Sequence, residues 1–217
     1  MVVSHCGSPV TKGSKGDRVF KEESRTIAVV SSPFIHLSEQ WIRELNKLNI
    51  DCHKIIADSS RNRWKDRLVD SLIDAENNII HRLVILTTHN TFSSHDFVSI
   101  MKASKQRKPS QKLLLISDEV HGIGAPIRKE GLIHEYDYRL GLSATPKRWF
   151  DSKGTDLVFE YFGGVVFTFS LKEAIKAGYL TPYIYIPCFS SLTPEEMTMY
   201  EEDTRKISRA YTTKQKK

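Results

Sequence analysis

Leu113-Leu114-Leu115-Ile116-Ser117-Asp118-Glu119-Val120-His121 is the stretch on which the fold turns. An unbroken apolar run ends in two adjacent carboxylates, with a histidine two residues later. Strands buried on both faces of a parallel sheet read as such runs. Ligand sites in open α/β sheets lie outside the carboxyl ends of the strands. Asp118 and Glu119 therefore fall where a nucleotide and its metal could sit. One carboxylate can hold Mg²⁺, usually through water, while the other orients or deprotonates an attacking water. Solvated strand ends often carry acids too, and the motif by itself is equally compatible with that plainer reading.

A second apolar run, Tyr138-Arg139-Leu140-Gly141-Leu142, feeds Ser143-Ala144-Thr145-Pro146. The proline stops regular structure, and the hydroxyls can bond a neighbouring loop or simply make a turn. Further strand-like runs fall near residues 26–31, 52–56, 83–88, 165–169 and 183–186. Apolar residues at helical spacing cover 37–48 and 64–75 between them. Strands alternating with helices of this size predict right-handed βαβ units and a mainly parallel sheet. Thr193-Pro194-Glu195-Glu196 has the pattern of a capping box opening a further helix.

At 217 residues the chain suits one α/β domain with appendages. Hydrophobic residues make up 40% and charged residues 27%, as in soluble globular proteins. The formal charge of +6 permits a polyanionic partner. Lys102, Lys105, Arg107, Lys108 and Lys112 form one basic stretch, and Arg205, Lys206, Arg209, Lys214, Lys216 and Lys217 form another at the end. Neither has interleaved aromatics for base stacking, and a solvated loop and a fraying tail are the plainer readings. Cys6, Cys52 and Cys188 are odd in number and far apart, which points to reduced thiols rather than a disulfide framework. No run is long enough to span a membrane and no signal-peptide core opens the chain, so a cytoplasmic location is expected. His89 and His95 lack a thiolate partner and read as ordinary loop histidines rather than a metal pair.

Asp118-Glu119-Val120-His121 followed by Ser143-Ala144-Thr145 resembles motifs II and III of superfamily-two helicases and translocases, here with a DEVH box. The resemblance is to the XPB-like and restriction-type branch. It extends through Tyr161-Phe162-Gly163-Gly164, Leu171-Lys172-Glu173-Ala174-Ile175 and Gly178-Tyr179-Leu180. Upstream, Ser31-Ser32-Pro33 followed by Gln40-Trp41 is similar to motif Ia and its helix. The resemblance implies a RecA-like (P-loop NTPase type) three-layer α/β domain with ATP and Mg²⁺ as cofactors. In that family Asp118 would hold Mg²⁺ and Glu119 would activate water. His121 would couple nucleotide state to Ser143 and Thr145. Ser32, Pro33 and Thr88 would touch the nucleic-acid backbone, with Thr87 buried, and DNA is favoured over RNA as the partner.

One departure stands out. The family's phosphate loop, Gly-x-x-x-x-Gly-Lys-[Ser/Thr], has no counterpart upstream of residue 26. Lys12-Gly13-Ser14 inverts its order and no apolar strand precedes it. The expected organisation is a flexible basic segment over residues 1–25 and an incomplete RecA-like domain over 26–186. A linker helix and basic tail at 187–217 would then lead toward a missing second RecA-like domain. On this reading the chain is a fragment of an ATP-dependent DNA helicase or translocase motor, enzymatic by family but inactive alone. The alternatives are a non-catalytic nucleic-acid-binding module or a structural remnant. A two-carboxylate nuclease lacks a third acidic ligand.

Overall fold

The computed structural model describes residues 2–6, 26–147 and 151–214, with side chains over 26–147 and 151–209. These residues form two compact units, one ending at Ser170 and the other beginning at Leu171.

In the first unit the strands are β1 (Val2–Cys6), β2 (Thr26–Ser32), β3 (His53–Ile56), β4 (Leu83–Thr88), β5 (Lys112–Ser117), β6 (Tyr138–Leu142) and β7 (Val165–Phe167). The helices are α1 (Ile35–Lys47), α2 (Trp64–Glu76), the single turn α3 (His89–Phe92), α4 (His95–Arg107) and α5 (Ser152–Phe162). The sheet runs β3-β4-β2-β5-β6-β1-β7. From β3 to β6 every pairing is parallel. The runs quoted from the sequence, except that at 183–186, are these strands, and β5 lies between β2 and β6 as its apolar character requires.

From β2 to β3 the chain travels one way along the sheet, and from β3 to β4 and β4 to β5 it travels back. Right-handed crossovers then place α1 on one face and α2 and α4 on the other. Consistently, α1 lies on β2 and β4 while α2 packs against α4. This is the three-layer RecA-like α/β arrangement with a mainly parallel sheet. The layers are unequal. Ile27, Val29, Leu83, Ile85, Leu113 and Leu115 point to the α2/α4 face and join Leu68, Leu72, Phe97 and Met101 in the core. On the other face α1 buries only Ser38, and Trp41 is half-buried there rather than fully packed.

Two elements depart from expectation. Residues 2–6, expected within a flexible basic connector, form β1, which pairs antiparallel with β6 and with β7. The Lys12-Gly13-Ser14 stretch lies outside the described residues. The apolar run at 183–186 is not a strand: it has no regular structure, and Tyr183, Ile184, Tyr185 and Ile186 are exposed. Propensity alone does not make a strand without a ladder to join.

The second unit holds α6 (Leu171–Lys176) and α7 (Pro194–Lys214). Gly178, at φ 77°, ends α6 by letting the Tyr179 amide turn back to the Ala174 carbonyl at 3.0 Å. The capping box at the start of α7 is reciprocal. Thr193 N–H donates to Glu196 Oε2 at 2.9 Å, and Glu196 N–H donates to Thr193 Oγ1 at 3.3 Å. Among the described residues no helix is long and apolar enough to cross a membrane.

Candidate functional site

The β5 ladder runs one residue beyond the strand, because Asp118 N–H donates to the Ser31 carbonyl at 2.8 Å. The chain then breaks sharply. Glu119 takes a left-handed conformation (φ 48°, ψ 49°), and its N–H donates to Asp118 Oδ1 at 3.0 Å. A non-glycine residue held there stores roughly 1–3 kcal/mol of strain and needs surroundings that enforce it. Val120 supplies the anchor. It opens a 3-10 turn ending at Gly122, is fully buried, and fits over Gly141 of β6. A Cβ at Gly141 would come within 3.1 Å of Val120 Cγ2 and 3.3 Å of Phe162 Cδ1, so any larger residue would have to push these side chains back by a few tenths of an ångström.

With Val120 fixed, His121 points along the sheet edge. Its Nδ1 lies 3.0 Å from Ser143 Oγ and 3.3 Å from Glu119 Oε2. Ser143, buried just past the end of β6, also accepts from Thr145 N–H at 3.1 Å. Asp118, Glu119, His121, Ser143 and Thr145 are thus collected at the carboxyl ends of two adjacent strands, as the sequence predicts for these five. Asp118 and Glu119 are only partly buried. Such a hard oxygen pair suits Mg²⁺ held through one carboxylate and water, with phosphates completing the shell. Among the described residues no cluster of three or more His, Cys, Asp or Glu could hold a metal unaided.

The residues expected to meet nucleic acid lie on the same rim, but their hydroxyls turn inward. Ser32 is fully buried, with Oγ bonded to the Phe34 carbonyl at 3.2 Å and lying 3.3 Å from Ser38 Oγ. Thr88 Oγ1 donates to Asp58 Oδ2 at 2.5 Å and caps α3. Pro33 has no N–H to donate, so any hydrogen bond from these turns falls to the backbone N–H groups of its neighbours rather than to the Ser32 or Thr88 side chains. Thr87 is buried, as expected.

Two residues here escaped the sequence reading. Asp58 follows β3 and gathers hydrogen bonds from Ser60 N–H and Oγ, Thr88 and Thr91. Burial raises its carboxyl, but these bonds together outweigh burial and hold it below its ordinary value. His89 is no loop histidine: it is 1% exposed, and its Nδ1 lies 2.7 Å from Ser31 Oγ. Burial first, and the Arg128 charge second, lower its pKa to about 4. Its ring also lies under the DEVH loop, where a Cβ on Gly122 would sit 3.5 Å from His89 Cδ2. The available signal was the polar row Ser31, Thr87 and Ser117, aligned across β4, β2 and β5 at core-facing positions. His95 opens α4, six residues along the chain from His89 in the sequence.

The basic stretch before β5 does not join this rim. Lys105 and Lys112 pair with Asp137, Arg107 makes a two-pronged bond to Glu76, and Lys108 reaches the Glu76 carbonyl. Asp137 precedes β6 and Lys112 opens β5, so this cluster occupies the opposite end of the strands from Asp118. It is helix α4 and its ion pairs, not a solvated loop.

Residues 15–148 match the family model described as type III restriction enzyme, res subunit. Over 87 residues the chain is 38% identical to the endonuclease subunit of the type I restriction enzyme EcoAI from Escherichia coli. That alignment takes in 38% of this chain and 10% of the relative, so the chain spans only a small part of that protein. Among solved structures, one similar chain is a nuclease-deletion mutant of the type ISP restriction-modification enzyme LlaGI, in complex with a DNA substrate mimic. It is 15% identical with a TM-score of 0.49, over 72% of this chain and 16% of that one. Another is a de novo designed protein of P-loop NTPase fold, 9% identical with a TM-score of 0.36, over 73% of this chain and 99% of that one.

Proposed function

The chain belongs to the family of type III restriction enzyme res subunits, and on that premise we propose that it is the first RecA-like domain of an ATP-dependent DNA helicase or translocase, carrying motifs Ia, II and III. The observation that carries this reading is the bond from His121 to Ser143, which joins the acidic loop after β5 to the loop after β6. In a motor, Asp118 would hold Mg²⁺, Glu119 would orient the attacking water, and His121 would pass the state of the nucleotide to Ser143 and Thr145. ATP brings the phosphates and Mg²⁺ the charge that a transferring phosphoryl group requires. The turns after β2 and β4 offer backbone N–H groups to a DNA strand, and the formal charge of +6 supports a polyanionic partner. A second RecA-like domain is the partner that would complete the nucleotide site.

A non-catalytic nucleic-acid module is the second reading, favoured by the missing Gly-x-x-x-x-Gly-Lys-[Ser/Thr] run. Fluorescence anisotropy with labelled single- and double-stranded DNA over a salt series tests the binding both readings share. Weak binding that falls steeply with salt and shows little sequence preference is expected. No binding at low salt would leave only a structural remnant. Equal loss on replacing Lys214, Lys216 and Lys217 alone would place binding in the tail and off the motor surface.

A further inference from the structure

Phe34 occupies a position where an aromatic has no local reason to be. It is the residue that caps the start of α1, at φ −136° and ψ 149°, and it gives the helix no side-chain hydrogen bond. Helix starts favour Ser, Thr, Asp or Asn there because those side chains satisfy the free N–H groups. The sequence forgoes that stabilisation for a phenyl ring, and the ring does not repay it by burial: Phe34 is 61% exposed. Its backbone is nonetheless held firmly, the carbonyl accepting from Ser32 Oγ at 3.2 Å and from Leu37 N–H at 3.1 Å. The exposed His36 ring lies parallel to it, with an interplanar angle of 10° and centroids 5.5 Å apart. The result is a flat, pre-positioned pair of rings on the rim formed by the carboxyl ends of the strands, directly after the Ser32-Pro33 turn.

We propose that Phe34, backed by His36, is a stacking platform for an unpaired nucleobase of single-stranded DNA bound across this rim. The inference rests on the motor reading and deepens it by adding a contact to bases where that reading supplies only contacts to the backbone. Every base presents a π-face, so such a platform holds a strand without reading its sequence. Backbone N–H groups of the adjacent turn would meet the phosphate of the nucleotide whose base lies on Phe34. Duplex DNA, with its bases already stacked on one another, gains nothing from the rings.

The test is anisotropy with three probes of one length: a single-stranded oligonucleotide, the same strand made abasic throughout, and a duplex. Each is measured with the full chain and with Phe34→Ala and Phe34→Trp. The native chain should bind the base-bearing strand about tenfold more tightly than the abasic one. Phe34→Ala should erase that preference and Phe34→Trp should keep it, while the dependence on salt, which reports phosphate contacts, stays the same. Because the ring is exposed, circular dichroism should show both variants folded as the native chain is. Equal affinity for base-bearing and abasic strands, or a preference that survives Phe34→Ala, would overturn the platform and leave the motor reading standing. Failure of the native chain to bind any of the three at low salt would remove both.

Discussion

His121 Nδ1 lies 3.0 Å from Ser143 Oγ, although the two residues sit in loops after different strands and are separated by 22 positions. Val120, one residue earlier, is buried against Gly141 and places the backbone of the turn that carries His121. Ser143→Ala removes this acceptor or donor and also the partner of Thr145 N–H, and should cost about 1–2 kcal/mol in urea unfolding. His121→Ala should cost less. The double variant should be more stable than the sum of the two losses predicts, by about 0.5–1.5 kcal/mol. Strict additivity would mean that the two loops are not coupled.

Steady-state hydrolysis of ATP by this chain should be negligible, with or without DNA. The 217 residues contain no phosphate-loop run. An arginine supplied by a second domain is alone worth roughly 10³–10⁵ in rate. Brisk turnover that Glu119→Gln abolishes would contradict this.

Stability should fall in two separate acid steps. His89 in the folded state resists protonation down to about 4, against an ordinary value of 6.5. The unfolded chain takes up that proton first, so the full contribution is present above pH 6.5 and is lost between there and pH 4. The loss amounts to roughly 3 kcal/mol. Asp58 and Asp137 behave differently. Burial raises both, but the hydrogen bonds to Asp58, and for Asp137 those from Lys105, Leu113 N–H and Lys112, leave both below 3.8. Their contribution is present above that value and is lost only as the pH falls further. Urea midpoints from pH 7 to 3 measure the curve. His89→Gln should flatten its upper step and spare the lower one, and an unchanged upper step would assign it to another group.

Gly131→Ala should be severe. A Cβ there would overlap the ring of Phe92, itself fully buried against Phe97 and Tyr136. Neither ring nor backbone can give way cheaply in a close-packed core, and a loss of about 3 kcal/mol is expected from thermal or urea unfolding. A variant within 0.5 kcal/mol of the native chain, a threshold of roughly the size seen for neutral surface changes, would show that this core is looser than its packing indicates.

The parallel strands were legible because each is an apolar run ending in polar residues, and β5 announced its central place by lacking any polar interruption. Helix α4 was hidden beneath its own lysines. Only Phe97, Met101 and Ser104 are fully buried, with Val98 and Ile100 partly so, and charge dominated the reading of that stretch. β1 was illegible since five residues carry little pattern and their partners lie far along the chain. The run at 183–186 misled in the opposite sense, having the pattern of a strand and no ladder among the described residues. At the site, spacing and family resemblance located Asp118, Glu119, His121 and Ser143. They could not reveal that Ser32 and Thr88 spend their hydroxyls on the protein itself. That follows from Ser38 and Asp58, whose approach depends on how α1 and β3 are placed.

The antiparallel strand β1 has a further consequence for how the chain is made. It is made before β2, yet each of its partners in β6 lies at or beyond Tyr138 and those in β7 lie later still. The parallel strands from β2 to β5 are complete before β6 exists, so the sheet can assemble while β1 waits. Pairings over such separations close slowly. Of the strands in this sheet, β1 is therefore expected to dock late, and until it does the exposed edge of β6 is open to the strands of other chains.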